Sequence, residues 1–440
     1  MQKQKTIAKW LAVVLLLTVA IACYVALSAI LQKSDDTKVA GANDSDPQQQ
    51  TPVKKTYSTF PRKAENVDKN AINHVGGSDD ETLLSTVYYR GKTLVFFKSE
   101  SDDRDVKESG LYIAIFSNFA LEKTVKIGEI SETLLDCSLS KNGLVVFISS
   151  QNVTRVLSFD ENVNVNARCQ TKKYSLLKTY LHANSLFAIA YDGVEFSRIS
   201  VSENLTVSGD NFVCSANDVL DYSITAYCEK VLIFSNSTNG ANCLIYEQNK
   251  GFINMFSQNK SKIMQILPVV ASERQTFVLL LKKQDGYDVA SLDSSLALIK
   301  KEYVENSQNA ALFSNGNSLS VLTENAFYRF CAHLDFGGKS SLDSVGISKK
   351  YTELKAFDGD ENTILATSES GVELLVFNGT SFKTVATLPH IENTILSSYT
   401  TGENGYLSLV FESDSNSKTT YMGFGKKDVF VARILTSNEG

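Results

Sequence analysis

Tryptophan occurs once in the 440 residues, at Trp10, while histidine and methionine occur four times each and proline five times. The four histidines, His74, His182, His333 and His390, stand far apart and share no motif with a second imidazole or a carboxylate. That scarcity speaks against clustered-imidazole metal centres and most His-based acid–base chemistry. His333 lies two residues after Cys331, but one Cys-x-His pair falls short of a zinc ligand set. A Gly-x-Ser-x-Gly elbow, a phosphate loop and a dinucleotide fingerprint are all missing. Serines are plentiful, yet none has a base signalled beside it to activate the hydroxyl. Basic charge is short as well: the formal net charge is −6 and no Lys/Arg stripe runs along the chain. Nucleic-acid binding is disfavoured accordingly. No catalytic, cofactor-binding or metal-ligating residue is assigned, and no cofactor is called for.

What the chain has in quantity is alternation. Phe (24) and Tyr (18) are abundant and hydrophobic residues make up 43%, a composition that favours packed strands. From about residue 81 one pattern repeats roughly eight times: an apolar alternating run, a short turn, a nearly continuous apolar run, then two weaker runs. The second run begins at Leu94, Leu144, Leu186, Val231, Phe277, Leu319, Ile364 and Leu407, at spacings of roughly 42 to 50 residues. That is the period of four short strands per blade. In the first copy STVYYR and TLVFFK flank a tight turn at Gly91-Lys92, followed by GLYIAIFSN and ALEKTVKIG. The pattern predicts an all-β chain, a β-propeller of about eight four-stranded blades over residues 81–435. Seven blades remain open if the first or last copy supplies only a closing strand. The chain resembles extracytoplasmic, membrane-anchored β-propellers as a class, over residues 81 to 435. It carries no Trp-Asp dipeptide, no Kelch double glycine and no quinone-dehydrogenase docking motif, so the resemblance reaches the fold and no specific family.

The amino terminus reads differently. Trp10 to Leu31 is an apolar run of 22 residues, interrupted only by Thr18 and Ser28. At 1.5 Å per residue it covers a hydrocarbon core about 30 Å thick. Lys3, Lys5 and Lys9 precede it, which leaves residues 1–9 as a cytoplasmic tail and sends the remainder across the membrane. We read 10–31 as an uncleaved, single-pass signal-anchor. Cleavage after Ala22, or lipidation at Cys23, are the rival readings, and both also export the rest. Residues 32–80 are rich in Asp, Gln, Lys, Ser and Pro and are expected to form a flexible linker with a reach on the order of 40 Å.

Several features invite sharper readings. Asp358-Gly359-Asp360-Glu361-Asn362, with Glu369 further on, imitates a calcium loop, but Thr363 stands where that loop requires Gly. The repeat places this stretch at a hairpin turn, and we read it as that. Six cysteines lie outside the apolar run: Cys137, Cys169, Cys214, Cys228, Cys243 and Cys331. They allow fifteen pairings, but several sit in apolar runs and are read as buried free thiols. Asn-x-Ser/Thr triplets begin at Asn43, Asn152, Asn204, Asn236, Asn259 and Asn378. The longest insertion, Ser99 to Ser109, is the first choice for a recognition loop, and Ser235 to Asn242 the second. The function expected is non-catalytic binding or scaffolding at a cell envelope, with an envelope protein or cell-wall polymer as partner. The alternative is a propeller hydrolase or dehydrogenase whose active residues converge at the central channel.

Overall fold

Alternating side chains and left-handed turn residues explain the local structure. Arg90 (φ 52°) and Gly91 (φ 77°) close the first hairpin, and Ala183 (φ 47°) and Asn184 (φ 62°) close another. Two successive positive φ values match the right-handed twist of the flanking strands. The protein is seen here as a computed structural model. It describes residues 65–66 and 72–435, except 118–119, 142, 228–229, 248–249, 272–273, 316–317, 332–333, 357–362, 370, 390–394, 402–405 and 415–426. These all fall in the compact unit Lys55–Gly440.

Among the described residues the strands assemble into eight antiparallel sheets. We name the strands of each blade A to D, outward from the ring centre. Blade 1 is Glu81–Tyr89, Lys92–Ser99, Gly110–Ser117 and Ala120–Gly128, paired in that order. Blades 2 to 6 repeat the order over 133–172, 176–215, 219–259, 262–303 and 310–341. Blade 7 covers 353–389, and its outer edge gains a fifth, parallel strand from Glu65–Asn66. Blade 8 takes strands A to C from Ile395–Thr401, Tyr406–Asp414 and Lys427–Leu435. Its strand D is Ile72–Val75, from the other end of the chain. All eight starting residues of the continuous apolar runs lie on B strands.

The period-2 geometry of a strand sends neighbouring side chains to opposite seams. On strand B of blade 1, Leu94 and Phe96 pack with Leu144, Val146 and Leu157 of blade 2. Val95 and Phe97 pack the other way, with Val75, Val410, Val429 and Val431 of blade 8. Further clusters fill the seams between blades 2 and 3, 3 and 4, 4 and 5, 5 and 6, and 6 and 7. B strands are buried on both faces, which is why they read as continuous apolar runs. Each large side chain so buried contributes about 1.5–3 kcal/mol.

Bulges mark the inner and outer strands. Strand D of each of blades 1 to 7 pairs with strand C through a register shift. Such irregular edges resist pairing with other chains. Strand A is bulged in blades 1, 2, 4, 5 and 8, after Leu83, Leu134, Val219, Ile263 and Leu396.

The structure revises the expected boundary. The propeller does not begin at residue 81, because Ile72–Val75, assigned from sequence to the linker, is a ladder strand. The seven-blade option falls for the same reason: the last copy is a full blade once this strand is counted. The expected helix at 10–31 lies outside the described residues. Among the described residues no helix is long and apolar enough to cross a membrane.

Candidate functional site

The most elaborate polar arrangement lies where the two ends of the chain meet, between blades 8 and 1. After strand Ile72–Val75 the chain crosses to the first inner strand through Gly76–Asp80. The Ser99–Ser109 loop receives it. Asp105 Oδ2 accepts from the Gly76 amide at 3.3 Å, Asp103 Oδ1 from Ser78 at 2.8 Å, and Ser101 Oγ from Asp79 at 2.9 Å. The Glu100 amide donates to the Asp80 carbonyl at 3.0 Å. Both glycines are required by close approach. A Cβ at Gly76 would collide with Asp428 Oδ1 and lie 2.8 Å from Glu81 Oε2, and one at Gly77 would lie 2.7 Å from Asp103 Oδ1. The loop expected to mark a recognition face is thus committed largely to the chain's own closure.

Beneath this crossing sit buried carboxyl groups. Glu81 is fully buried, and its Oε1 accepts from the hydroxyls of Ser99 and Ser101, each at 2.8 Å. Asp428, also fully buried, lies beside Glu81, with Asp428 Oδ1 and Glu81 Oε2 both close against Gly76. Loss of solvation pushes Glu81 up to about 8; the two serine hydroxyls oppose the rise and Asp428 adds to it. Asp105 is raised as well, by burial first, against the Gly76 amide and the nearby His74. Next to this pair, Glu412 of blade 8 accepts from the Leu83 amide at 2.9 Å and from Lys427 at 2.8 Å. The Leu83 amide is presented at the strand-A bulge, so a side chain of the preceding blade takes a donor exposed by the irregular ladder.

In other seams, too, side chains of one blade hold the backbone of the next. Asn236 on strand B of blade 4 accepts from the Ile263 amide at 2.7 Å and donates to the Ile263 carbonyl at 2.9 Å. Gln265 accepts from Leu312 of blade 6 at 2.9 Å, and Asp136 of blade 2 from Thr179 of blade 3 at 2.7 Å. Elsewhere buried acids meet cations or phenols. Asp288 pairs with Lys283 and with Lys301 at 2.9 Å, and Glu373 with Lys349 and with Tyr351 at 2.8 Å. Burial works against ionised Glu305, but Thr323, Tyr328 and Lys339 together hold it below its usual range.

The residues singled out from sequence disperse. His74 is in the closing strand and its ring stands 5.7 Å from Phe430. His182 ends a strand, with its ring 6.4 Å from Phe187. His333, His390, Cys228 and the Asp358–Asn362 turn lie outside the described residues, and Glu369 is exposed. Cys137, Cys169, Cys214, Cys243 and Cys331 are free thiols. Burial pushes Cys137 up to about 12 and Cys214 to about 11, the opposite of what a nucleophilic thiol requires. Ser235–Asn242 is no open loop but a hairpin whose Asn236 is buried in the seam, so that triplet is closed to glycosylation. The carboxyl pair Glu81 and Asp428 went unnoticed, since 347 positions separate them and neither stands in a motif.

An eight-sheet ring with two ends of the chain sharing its last blade invites comparison with known folds. No family model and no curated protein matches the chain. Among solved structures it is similar to dihydro-heme d1 dehydrogenase NirN in complex with DHE, with a TM-score of 0.51, 14% identity and 75% of each chain covered. It is similar also to the Dos1 propeller, with a TM-score of 0.50, 13% identity, 82% of this chain and 94% of that one. The fold is a β-propeller. At these identities the likeness is one of architecture, and a propeller ring hosts many unrelated functions.

Proposed function

We propose that this protein is a membrane-tethered β-propeller working outside the cytoplasm as a non-catalytic binding or scaffolding module, with another envelope protein as its partner. The apolar run from Trp10 to Leu31, led by three lysines, supports the tether and its direction. The observation that carries the binding role is an apolar outer flank. Phe212 on blade 3, Phe252, Ile253 and Met255 on blade 4, Leu298, Ile299 and Tyr303 on blade 5, and Phe336 on blade 6 are each 42–58% exposed. All eight belong to outer strands of consecutive blades. Lys301 of blade 5 bonds Gln258 of blade 4 at 3.1 Å and ties two of these strands side by side. Exposed apolar side chains on the outer strands of four consecutive blades support an interaction role for this flank. Its Leu, Ile and Met content suits a protein surface better than a wall polymer, which stacks sugars on aromatic faces.

The enzymatic alternative would gather titratable groups at the central channel. Asp288, Glu373 and Glu305 are instead engaged by Lys, Tyr and Thr side chains, arrangements that hold a fold. The dehydrogenase among the structural neighbours lends this chain no residue at 14% identity.

Photo-crosslinking groups at Phe252 and Ile299, in the full chain extracted from its native membrane, should trap one and the same protein in stoichiometric yield. Ile299→Asp should abolish the product from Phe252. Failure to trap any protein at either position would overturn the scaffold reading. Protease shaving of intact cells tests the side: the ring should be accessible, and full protection would refute export.

A further inference from the structure

Arg198 is the sole cation among the described residues whose charge is buried; the others are the acids Glu81, Asp288, Glu373, Glu412 and Asp428. It stands on strand C of blade 3 and is 6% exposed. Opposite it on strand B is Ile189, which packs in the seam with Ile233, Leu244 and Tyr246 of blade 4. Directly opposed residues share a face of the sheet, so the guanidinium enters that same seam. Its Cζ lies 3.9 Å from the centre of the Phe187 ring, and its Nε donates to the Tyr180 hydroxyl at 2.7 Å. Tyr180 and Phe187 stack on each other at 5.7 Å.

No carboxylate among the described residues pairs with Arg198. Arg155, on strand C of blade 2, shows the ordinary arrangement: Glu132 accepts from its Nε at 3.0 Å and from Nη2 as well. Asp288, Glu373 and Glu412 each meet a lysine. A guanidinium carries donors on all of its nitrogens, and at Arg198 only Nε is engaged. The terminal nitrogens have no acceptor among the described residues, yet neither is sealed from solvent. The outer-strand neighbour of Arg198 is Asn211, which is exposed. An aromatic cradle that orients a buried cation without neutralising it suits an anion supplied from outside. The same seam runs out to the apolar flank, where Tyr246 is paired with Phe252.

Resting on the binding role argued above, we propose that Arg198 is the charged anchor of that interface. It receives the carboxylate of an Asp or Glu side chain of the partner protein, inserted between the outer strands of blades 3 and 4, while apolar side chains of the partner cover Phe252 and Met255. The Phe187 ring closes one face of the guanidinium, so the approach lies in its plane. There the terminal nitrogens present paired donors to the paired oxygens of a carboxylate.

The test uses the full chain extracted from its native membrane. A photo-crosslinking group at Asn211, with Arg198 intact, should join to a partner peptide carrying Asp or Glu at or next to the attachment point. Converting that acid to its amide should lower trapping at Phe252 by about tenfold or more. Arg198→Gln, which keeps a donor for Tyr180, should lower it equally, and the two changes together should lower it no further. A joined peptide without an acid overturns the anchor, and this arm does not depend on the variant folding. Trapping at Phe252 undiminished by Arg198→Gln, or losses that add, would overturn it too while leaving the binding role intact. If Phe252 of the native chain traps no protein, the binding role fails and the anchor with it.

Discussion

The seam between blades 4 and 5 and the seam between blades 8 and 1 solve one packing problem under different connectivity. Both bury large apolar side chains, with Phe234 facing Phe277 in one and Phe97 facing Val410, Val429 and Val431 in the other. In both, a B-strand side chain grips the backbone of the next blade at its bulge: Asn236 on Ile263, and Glu412 on Leu83. Blades 4 and 5 follow one another along the chain, joined by the short link from Asn259 to Lys262. Blades 8 and 1 are joined only through Gly76–Asp80, after an outer strand drawn from the N-terminal side. There a neutral grip gives way to a charged one, and a loop, two glycines and a carboxyl pair are added. Closing a ring costs chain entropy that sequential blades do not lose again, and the added polar contacts stand where that cost falls.

The largest effect should come from removing the closing strand. A chain beginning at residue 77 should lose cooperative thermal unfolding, whereas one beginning at residue 65 should melt like the full chain, as followed by calorimetry. Next, Phe97→Ala and Phe234→Ala should each destabilise by about 3–5 kcal/mol in urea unfolding. If the closing seam is the weaker link, only Phe97→Ala will also make the 72–83 region sensitive to protease.

Smaller effects separate the two grips. Asn236→Ala leaves both backbone groups of Ile263 unpaired and should cost about 1–3 kcal/mol. Glu412→Ala strips Leu83 of its acceptor and leaves Lys427 without its partner, and should cost more than Asn236→Ala in the same assay. At the small end, Arg90→Ala removes the exposed pair with Glu161 (3.1 Å) between blades 1 and 2. Its effect should stay within about 0.5 kcal/mol, which would show that surface pairs do not hold the seams.

Eight blades were legible because a strand buried on both faces must be nearly all apolar, and each B strand, from Leu94 to Leu407, shows it. The closing strand was not legible. Ile-Asn-His-Val is four residues long, too short to display a period, and polar segments flank it. Residues 76–80 and 99–105 looked like solvated charge because each satisfies the other, and such pairing across a fold leaves no mark on either segment. Asn236 misled for a related reason: a buried amide serving a neighbouring backbone has the same letters as a glycosylation triplet. The carboxyl pair at Glu81 and Asp428 depends wholly on ring closure, and so became visible only with it. The outer apolar flank was hidden as well, since Phe252 or Ile299 on a strand reads as core until the strand proves to be the last in its blade.

Closure by the N-terminal strand is best tested by a cross-link. Asn73 and Val431 are paired residues of neighbouring antiparallel strands. Asn73→Cys with Val431→Cys should form a disulfide under mild oxidation, identified by mass spectrometry as a peptide joining the two ends of the propeller. Absence of that peptide, in a protein that otherwise melts cooperatively, would contradict a ring closed in this way.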